Sequence, residues 1–210
     1  MSSHAHMEHE TSRQLYAYWD RIRGGRFAPW RADIEPADIH RLLPDVFLGE
    51  VRSATNYRFR LAGTRLCAIY RRELKGRDML ERWSKADQEG FQTLLHSACV
   101  DGTASVVRFQ GHTETGHATR FEMITLPLRH HDGHVSRLLG AVSPFEHPYW
   151  LGSHPIECHT LEDLDVIWPD NPPHFMKRAA NQDIDAPMAL TPGLSRRHRH
   201  LTVFDGGRSD

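Results

Sequence analysis

The stretch from residue 15 to residue 51 constrains the fold of this chain more than any other. It begins with an amphipathic helix, because four apolar side chains recur at the spacing of one helix face. These are Leu15, Tyr18, Trp19 and Ile22. The glycine pair at 24–25 predicts the end of this helix. Pro36 begins a second, short helix that Pro44 ends, and an apolar strand follows at once over residues 46–51.

Alternating residues after this point predict an antiparallel sheet. Residues 57–61 read YRFRL, so one face of this strand is buried and the other is exposed. A turn at residues 53–56 joins it to the preceding strand as a hairpin. The Asp-Gly pair at 132–133 predicts a second hairpin. Three later strands are predicted over residues 104–113, 119–128 and 135–145.

Helices separate the second predicted strand from the third. Residues 64–70 predict a short helix, and residues 71–80 a loop with one further turn. Ser84 caps a longer helix with an apolar stripe of Phe91, Leu94, Leu95 and Ala98. The predicted fold class is therefore α+β. It is a five-stranded antiparallel sheet with short helices between strands 2 and 3, an N-terminal helix and a Pro-rich C-terminal extension.

Composition divides the chain into three regions. Residues 1–10 predict a disordered N-terminus, and residues 11–145 the folded domain. Residues 146–210 hold most of the 12 prolines and show little periodicity, so we expect an extended tail there. Within it, residues 161–168 predict a turn of helix.

Several of these segments resemble a bacterial family of stand-alone PAS-like domains. The resemblance rests on YWDRIRGGRFAPWRADIEPADIHRLLPDVFLGEV at residues 18–51, FRLAGTRLCAIYRRELKGRDM at 59–79 and LLGAVSPF at 138–145. It covers about residues 12–145. One departure is Arg71, which stands where a glycine is expected before Arg-Glu-Leu. The resemblance implies a PAS fold and a sensory or regulatory role, without an attached kinase or cyclase.

The resemblance also implies a hollow between the sheet and the small helices. We expect its lining to be Phe59, Leu61, Cys67, Tyr70, Leu95 and Phe121. Arg77, in the sequence GRD, either faces an anionic ligand there or pairs with Asp78 or Glu73. Two readings stay open: a sensor that holds a small ligand in the hollow, and a pure interaction module whose core these same side chains pack shut.

Of the prosthetic groups held by sensors of this fold, neither flavin nor haem is expected in the hollow. Flavin photosensors of this fold carry a reactive cysteine in an Asn-Cys-Arg-Phe-Leu-Gln stretch, which this chain lacks, and Cys67 fits a small buried apolar residue. Haem sensors carry a histidine on the long helix, where this chain has His96. That residue lies roughly 120–140° from the centre of the apolar stripe, so it faces away from the hollow. The sequence does not identify a cofactor.

The sequence does not predict an enzyme or a metal site. It lacks Gly-x-Ser-x-Gly, Walker A, His-Glu-x-x-His and Gly-x-Gly-x-x-Gly motifs. A small α+β isomerase with an Asp/His pair is the remaining enzyme alternative, but helices inserted within the sheet favour the PAS order. Histidines are abundant, at 16, yet the cluster at 130–134 sits on a hairpin tip where side chains diverge.

The expected partners are proteins. The N-terminal helix, through Leu15, Tyr18, Trp19 and Ile22, is the candidate surface for a homodimer, and the alternative is that Trp19 covers its own sheet. An unknown signalling protein is the second expected partner, and residues 201–204 (LTVF) are a candidate for strand addition to a sheet edge.

Composition favours a cytoplasmic protein without nucleic-acid or membrane partners. The formal net charge is −1, which gives no general attraction to phosphates, and RRHRH at 196–200 fits a solvated tail. No apolar run reaches the roughly 20 residues that span a bilayer. The first ten residues lack the apolar core of a secretory signal, and three scattered cysteines do not form a disulfide framework.

Overall fold

The computed structural model describes residues 7–169 with their side chains, and the backbone of residues 197–198 and 201–202. Residues 7–169 contain the helices α1 (Glu10–Arg23), α2 (Thr64–Tyr70) and α3 (Lys85–Asp101). Short 3-10 helices lie between α1 and the first strand, at Arg31–Asp33, Pro36–Ile39 and Leu43–Asp45. The strands of this part are β1 (Val46–Ser53), β2 (Asn56–Ala62), β3 (Ala104–His112), β4 (Ala118–Arg129), β5 (Val135–Pro144) and β6 (Cys158–Ile167).

The chain divides into two compact units, residues 1–169 and residues 170–210. In the second unit β7 (Arg197–His198) pairs antiparallel with β8 (Leu201–Thr202). The rest of the predicted tail beyond residue 169, including residues 203 and 204 of the predicted LTVF strand, lies outside the described residues. So do residues 1–6 of the predicted disordered N-terminus. The remaining four residues of that N-terminus are ordered, because Met7 is buried and Glu10 begins α1.

Strands β1 to β6 form one antiparallel sheet in the order β2-β1-β5-β4-β3-β6. This confirms the predicted α+β class, the five antiparallel strands and the helices between strands 2 and 3. The sheet has one strand more than predicted. The turn of helix predicted at residues 161–168 is wrong, since these residues belong to β6 and its end. The expected extended tail therefore does not begin at residue 146, because the chain returns to the sheet and pairs with β3.

The two faces of the sheet carry separate apolar cores. One core packs beneath α2 and α3, around Phe91 and Leu95. The other packs beneath α1, where Trp19 is fully buried and its indole N–H donates to the carbonyl oxygen of Pro127 at 2.8 Å. A buried tryptophan with a satisfied N–H fixes the helix at one position on the sheet.

A buried ion network joins α1, β3, β4 and β6. Glu122 of β4 is fully buried, and its carboxylate accepts the backbone N–H groups of Glu8 and His9, each at 2.9 Å. Arg108 of β3 lies 3.7 Å from Glu122 and donates to Asp163 of β6 at 2.5 Å. Because the start of α1 and the middle of β6 meet at this arginine, the network determines how both pack on the sheet.

Arg71, which stands where a glycine is expected, adopts a backbone conformation that glycine favours. It ends α2 with φ at 50°, the only positive φ of a non-glycine residue in the part of the chain described. Its N–H donates to the carbonyl oxygen of Ala68, and its guanidinium to that of Ser153 at 2.8 Å. Glycine adopts this left-handed conformation without a steric penalty, so the backbone keeps the turn that a glycine would favour.

The ion network predicts a large loss of stability when Arg108 is removed. In Arg108→Met the buried carboxylate of Glu122 loses its nearest cation, so we expect the free energy of unfolding to fall by about 3–5 kcal/mol. Urea unfolding followed by tryptophan fluorescence measures this change. Arg21→Met is the matched control, because Arg21 pairs with Asp38 at the exposed surface, and its expected effect is below about 1 kcal/mol. Equal losses in the two variants would contradict a special role for Arg108.

Candidate functional site: the hollow between the sheet and α3

The hollow of this domain is a nearly filled cavity. It lies between β2, β3, β4, β5 and β6 on one side and α2, α3 and the loop after α2 on the other. Its volume is about 20 Å³, which is enough for one water molecule. The side chains that line it include Phe59, Tyr70, Met79, Trp83, Phe109 and His159.

Aromatic rings account for the small volume. Trp83 packs against Phe91 and Phe109, with ring centroids 5.2 and 5.0 Å apart. Phe109 in turn stacks on Phe121 at 5.2 Å. These spacings are those of favourable aromatic pairs in protein cores. The rings therefore form a continuous packed layer across the middle of the hollow.

The loop after α2 closes the hollow at its β2 side. The N–H of Phe59 donates to the carbonyl oxygen of Arg77 at 3.0 Å, and the N–H of Gly76 to that of Phe59 at 2.7 Å. The N–H of Met79 continues this pairing to Tyr57 at 2.8 Å. As a result the loop runs along the outer edge of β2 and directs Leu74 and Met79 into the core.

A buried polar pair lies among these apolar side chains. The hydroxyl of Tyr70 and Nε2 of His159 are 3.0 Å apart, and both residues are more than nine-tenths buried. The imidazole packs against both Trp83 and Phe109, with ring centroids at 4.7 Å from each. No protein group among the described residues bonds to its Nδ1. An unsatisfied buried polar atom is unfavourable by about 1–3 kcal/mol.

Burial keeps both members of the pair neutral. Desolvation, reinforced by the charge of Arg82 and by His112, lowers the pKa of His159 from 6.5 to about 3. Desolvation raises the pKa of Tyr70, although Arg82 and Arg72 act against it. The guanidinium of Arg82 lies 5.3 Å from the Tyr70 ring and donates to Glu157 at 2.7 Å. Neither group of the pair titrates near neutral pH.

Comparison with known protein families identifies the domain. The family model described as PAS domain matches residues 7–143. The chain belongs to the PAS domain family. No curated protein matches its sequence. Residues 144–169, which bring His159 to the hollow, lie beyond the matched range.

Solved structures with a similar fold include several PAS and light-oxygen-voltage domains. A light-oxygen-voltage domain studied with a flavin analogue is 14% identical, with a TM-score of 0.41, over 54% of this chain and 85% of its own. A PAS domain from Colwellia psychrerythraea is 9% identical, with a TM-score of 0.40, over 52% and 95%. The PAS domain of an HTR-like protein from Haloarcula marismortui is 20% identical, with a TM-score of 0.36, over 52% and 90%.

Some of the residues predicted to line the hollow of this PAS domain do so, and others lie in the core around it or outside it. Phe59 and Tyr70 line the cavity, and Leu95 and Phe121 belong to the packed core around it. Cys67 packs against that core and is partly buried.

Two of the predicted lining residues lie outside the hollow. Leu61 is 50% exposed. A β-bulge between Leu48 and Gly49 gives β2 an extra residue, Arg60, so Leu61 opposes Leu48 on the other face of the sheet. Arg77 is exposed as well. Its expected partners bond elsewhere: Asp78 accepts the N–H of Leu80, and Glu73 that of Lys75.

The residues predicted for a dimer surface lie against the domain's own sheet. Leu15, Tyr18 and Trp19 are at most 6% exposed, and Ile22 packs partly against the same core. Trp19 therefore covers its own sheet, which was the alternative to a dimer contact. The exposed face of α1 carries Gln14, Ala17 and Arg21 instead.

The hollow does not fit a flavin or a haem. A cavity of about 20 Å³ is far smaller than either group, and Trp83 and Phe109 line it in contact with each other. His96 is exposed on α3, as the helix geometry predicts. Among the described residues no group of three His, Cys, Asp or Glu side chains has a metal-binding arrangement. No described helix is long and apolar enough to cross a membrane.

Sequence reasoning missed His159, Trp83 and Met79. His159 stands in a segment with little periodicity, and a β-bulge in β6 obscures its alternation. Trp83 precedes the Ser84 cap of α3, and an apolar residue just before an N-cap often packs back on the core. That position is the one sequence signal that favoured a buried Trp83.

His159 predicts that stability falls as the pH is lowered. Below pH 6.5 the unfolded chain binds a proton at this residue that the folded chain does not bind. The neutral His159 side chain therefore does not reduce the free energy of unfolding above pH 6.5. As the pH falls from 6.5 toward 3, protonation of the unfolded chain lowers that free energy progressively. Between pH 7 and 5 we expect a loss of about 2 kcal/mol from this residue.

Urea unfolding at both pH values measures this loss. In His159→Gln and His159→Phe this part of the pH dependence should disappear, and the contributions of other histidines cancel in the comparison. An unchanged pH dependence in both variants would show that His159 is solvated.

Proposed function

We propose that this PAS domain is a regulatory protein that acts through contacts with a partner protein, with its hollow serving as a packed core. PAS domains as a family have sensory and regulatory roles, and this supports the general class. The observation that carries the proposal is the volume of the hollow, about 20 Å³. Close packing at this density leaves no room for a cofactor unless core side chains are displaced.

The titratable groups of the hollow support a role other than catalysis. A general acid or base works best with a pKa near the ambient pH. The pKa of His159, at about 3, and the raised pKa of Tyr70 lie on opposite sides of neutrality. Both groups therefore keep one protonation state across the neutral range and serve to hold β6 against α2.

A second candidate function is the sensing of a small ligand. Nδ1 of His159 favours it, because this buried atom has no bonding partner among the described protein groups and its residue lines the cavity. A ligand there would bond to His159 and displace Met79 or Met123, whose flexible side chains adapt to new shapes. The ligand would be small and largely apolar, with one hydrogen-bonding group.

The proposal includes a cytoplasmic location and a homodimer. Because Leu15 and Trp19 are inside the domain's own core, a dimer contact through α1 would use its outer residues Gln14, Ala17 and Arg21. A net charge of −1 supports a protein partner over nucleic acid or an anionic membrane.

Native mass spectrometry with an absorption spectrum on the same untagged protein tests the proposal. We expect the mass of the polypeptide or, for the homodimer, twice that mass, with nothing further bound and no absorbance in the visible range. A stoichiometric additional mass would contradict a packed hollow and would establish the ligand sensor in its place.

Trp83→Ala provides the matched control for this experiment. It removes a central ring, so we expect a loss of about 3–5 kcal/mol of stability and a cavity that accepts indole. Saturating indole should then raise the thermal midpoint of the variant and leave that of the wild type unchanged. Phe91→Ala serves the same purpose if the first variant does not fold. Stabilisation of the wild type by indole would show that the hollow is open.

A further inference from the structure

The face of β1 and β2 that lies on the α1 side of the sheet is open to solvent at one end. The side chains of Arg52 and Arg60 are 54% and 56% exposed, and Leu61 is 50% exposed. Arg60 and Leu61 share this face because of the bulge in β2, which places Leu61 opposite Leu48 and brings Arg60 toward Glu50. We call the surface formed by Arg52, Arg58, Arg60, Leu61 and Arg137 the basic face.

One carboxylate stands at the centre of the basic face. Glu50 contacts Arg52 at 3.1 Å, Arg137 at 3.2 Å and Arg60 at 3.9 Å. The pKa of Glu50 is lowered, since these three arginines together outweigh the burial that acts to raise it. A single carboxylate cannot neutralise three guanidinium groups, so a net positive charge remains.

Arg58 adds a fourth cation to the same surface. It pairs in register with Glu50 across the two strands, so its Cα lies beside that of the acid. Its guanidinium donates to two uncharged acceptors, the side-chain oxygen of Asn56 at 3.1 Å and the carbonyl oxygen of Gly76 at 2.8 Å. Arginines of α1, in contrast, are paired with carboxylates: Arg21 contacts Asp38, and Arg23 contacts Asp20.

An apolar residue is set among these charges. Half-exposed Leu61 lies beside Leu48, which is partly buried against the α1-side core. A surface that combines a solvent-exposed leucine with unneutralised arginines is complementary to a segment that carries both an apolar side chain and carboxylates. Arginine is also the cation most often used to bind carboxylates with two hydrogen bonds.

We propose that the basic face binds an acidic segment of a partner protein, with an apolar side chain of that segment on Leu61 and carboxylates on Arg52 and Arg60. The inference rests on the proposed function and specifies its partner. It favours a protein over nucleic acid because an apolar side chain of a protein segment covers Leu61, which a phosphate backbone would leave exposed.

The acidic strand β6 of a second copy fits the basic face less well. The acidic residues of β6 are already bound within their own domain. Asp165 contacts Arg108 at 2.7 Å, and Glu162 contacts Arg120 at 2.7 Å. Because these carboxylates would have to leave one arginine to bind another, the exchange gains little. A different acidic protein has no such competition.

Fluorescence anisotropy with a labelled synthetic peptide of alternating glutamate and leucine tests the proposal. We expect saturable binding that weakens between about 50 and 300 mM salt. Arg52→Glu with Arg60→Glu should reduce the affinity at least about tenfold, because two attractive contacts become repulsive. Arg52→Gln with Arg60→Gln should give a smaller reduction in the same direction. Leu61→Ser should weaken binding without changing the salt dependence.

Arg41→Glu with Lys85→Glu is the matched control. Both residues are exposed and lie outside the basic face, and the change in net charge is the same. We expect its affinity to stay within about twofold of the wild type, since distant surface charges are screened. Circular dichroism verifies that every variant is folded.

Several results would overturn the proposal. One is the absence of binding to the wild type, and another is an equal loss in the control variant. If a peptide with glycine in place of leucine bound as tightly as the glutamate–leucine peptide, the proposed contact with Leu61 would be wrong. Tighter binding of a single-stranded oligonucleotide would assign the face to nucleic acid. A salt-sensitive dimer abolished by the Arg52 and Arg60 changes would assign it to a second copy. If the peptide does not bind, this proposal is wrong, but the native mass and the proposed function that it tests are not affected.

Discussion

Arg108 is the residue on which the arrangement of this domain depends. Its guanidinium lies within ion-pair distance of Glu8 before α1, Glu122 on β4, and Asp163 and Asp165 on β6. A fully buried carboxylate such as that of Glu122 is stable only with a nearby cation and hydrogen-bond donors. The backbone N–H groups before α1 supply the donors, and Arg108 supplies the cation. The position of α1 and that of β6 therefore follow from a single charge requirement.

The attachment of β6 determines what the hollow contains. Where Arg108 pairs with Asp163, the next residue of β3, Phe109, pairs with Leu161, so Glu162 is the extra residue of a bulge. The bulge reverses the alternation of β6. Asp163 thus faces Arg108, while His159 faces the opposite side and meets Tyr70. The same short distortion satisfies the ion network on one face and closes the hollow on the other.

Local patterns in the sequence predicted α1, α3 and the first five strands, since periods of 3.6 and 2 depend only on neighbouring residues. The failures occur at bulges. Leu61 was predicted to line the hollow, but the bulge in β2 places it on the other face of the sheet. Strand β6 was not predicted, because its bulge breaks the alternation of LEDLDV at residues 161–166. The position of a bulge depends on the partner strand, which is distant in sequence. The volume of the hollow was equally beyond prediction, because it is the sum of many side-chain packings.

The central claim is that β6 completes the sheet and closes the hollow. Native-state hydrogen exchange of the β3 amides tests it most directly. If β6 pairs with β3, then amides on both edges of β3 are bonded, and we expect continuous strong protection from Ser105 to Gly111. If β3 were the edge of a five-stranded sheet, every second amide would exchange at the rate of an open loop. Alternating protection along β3 would contradict the account.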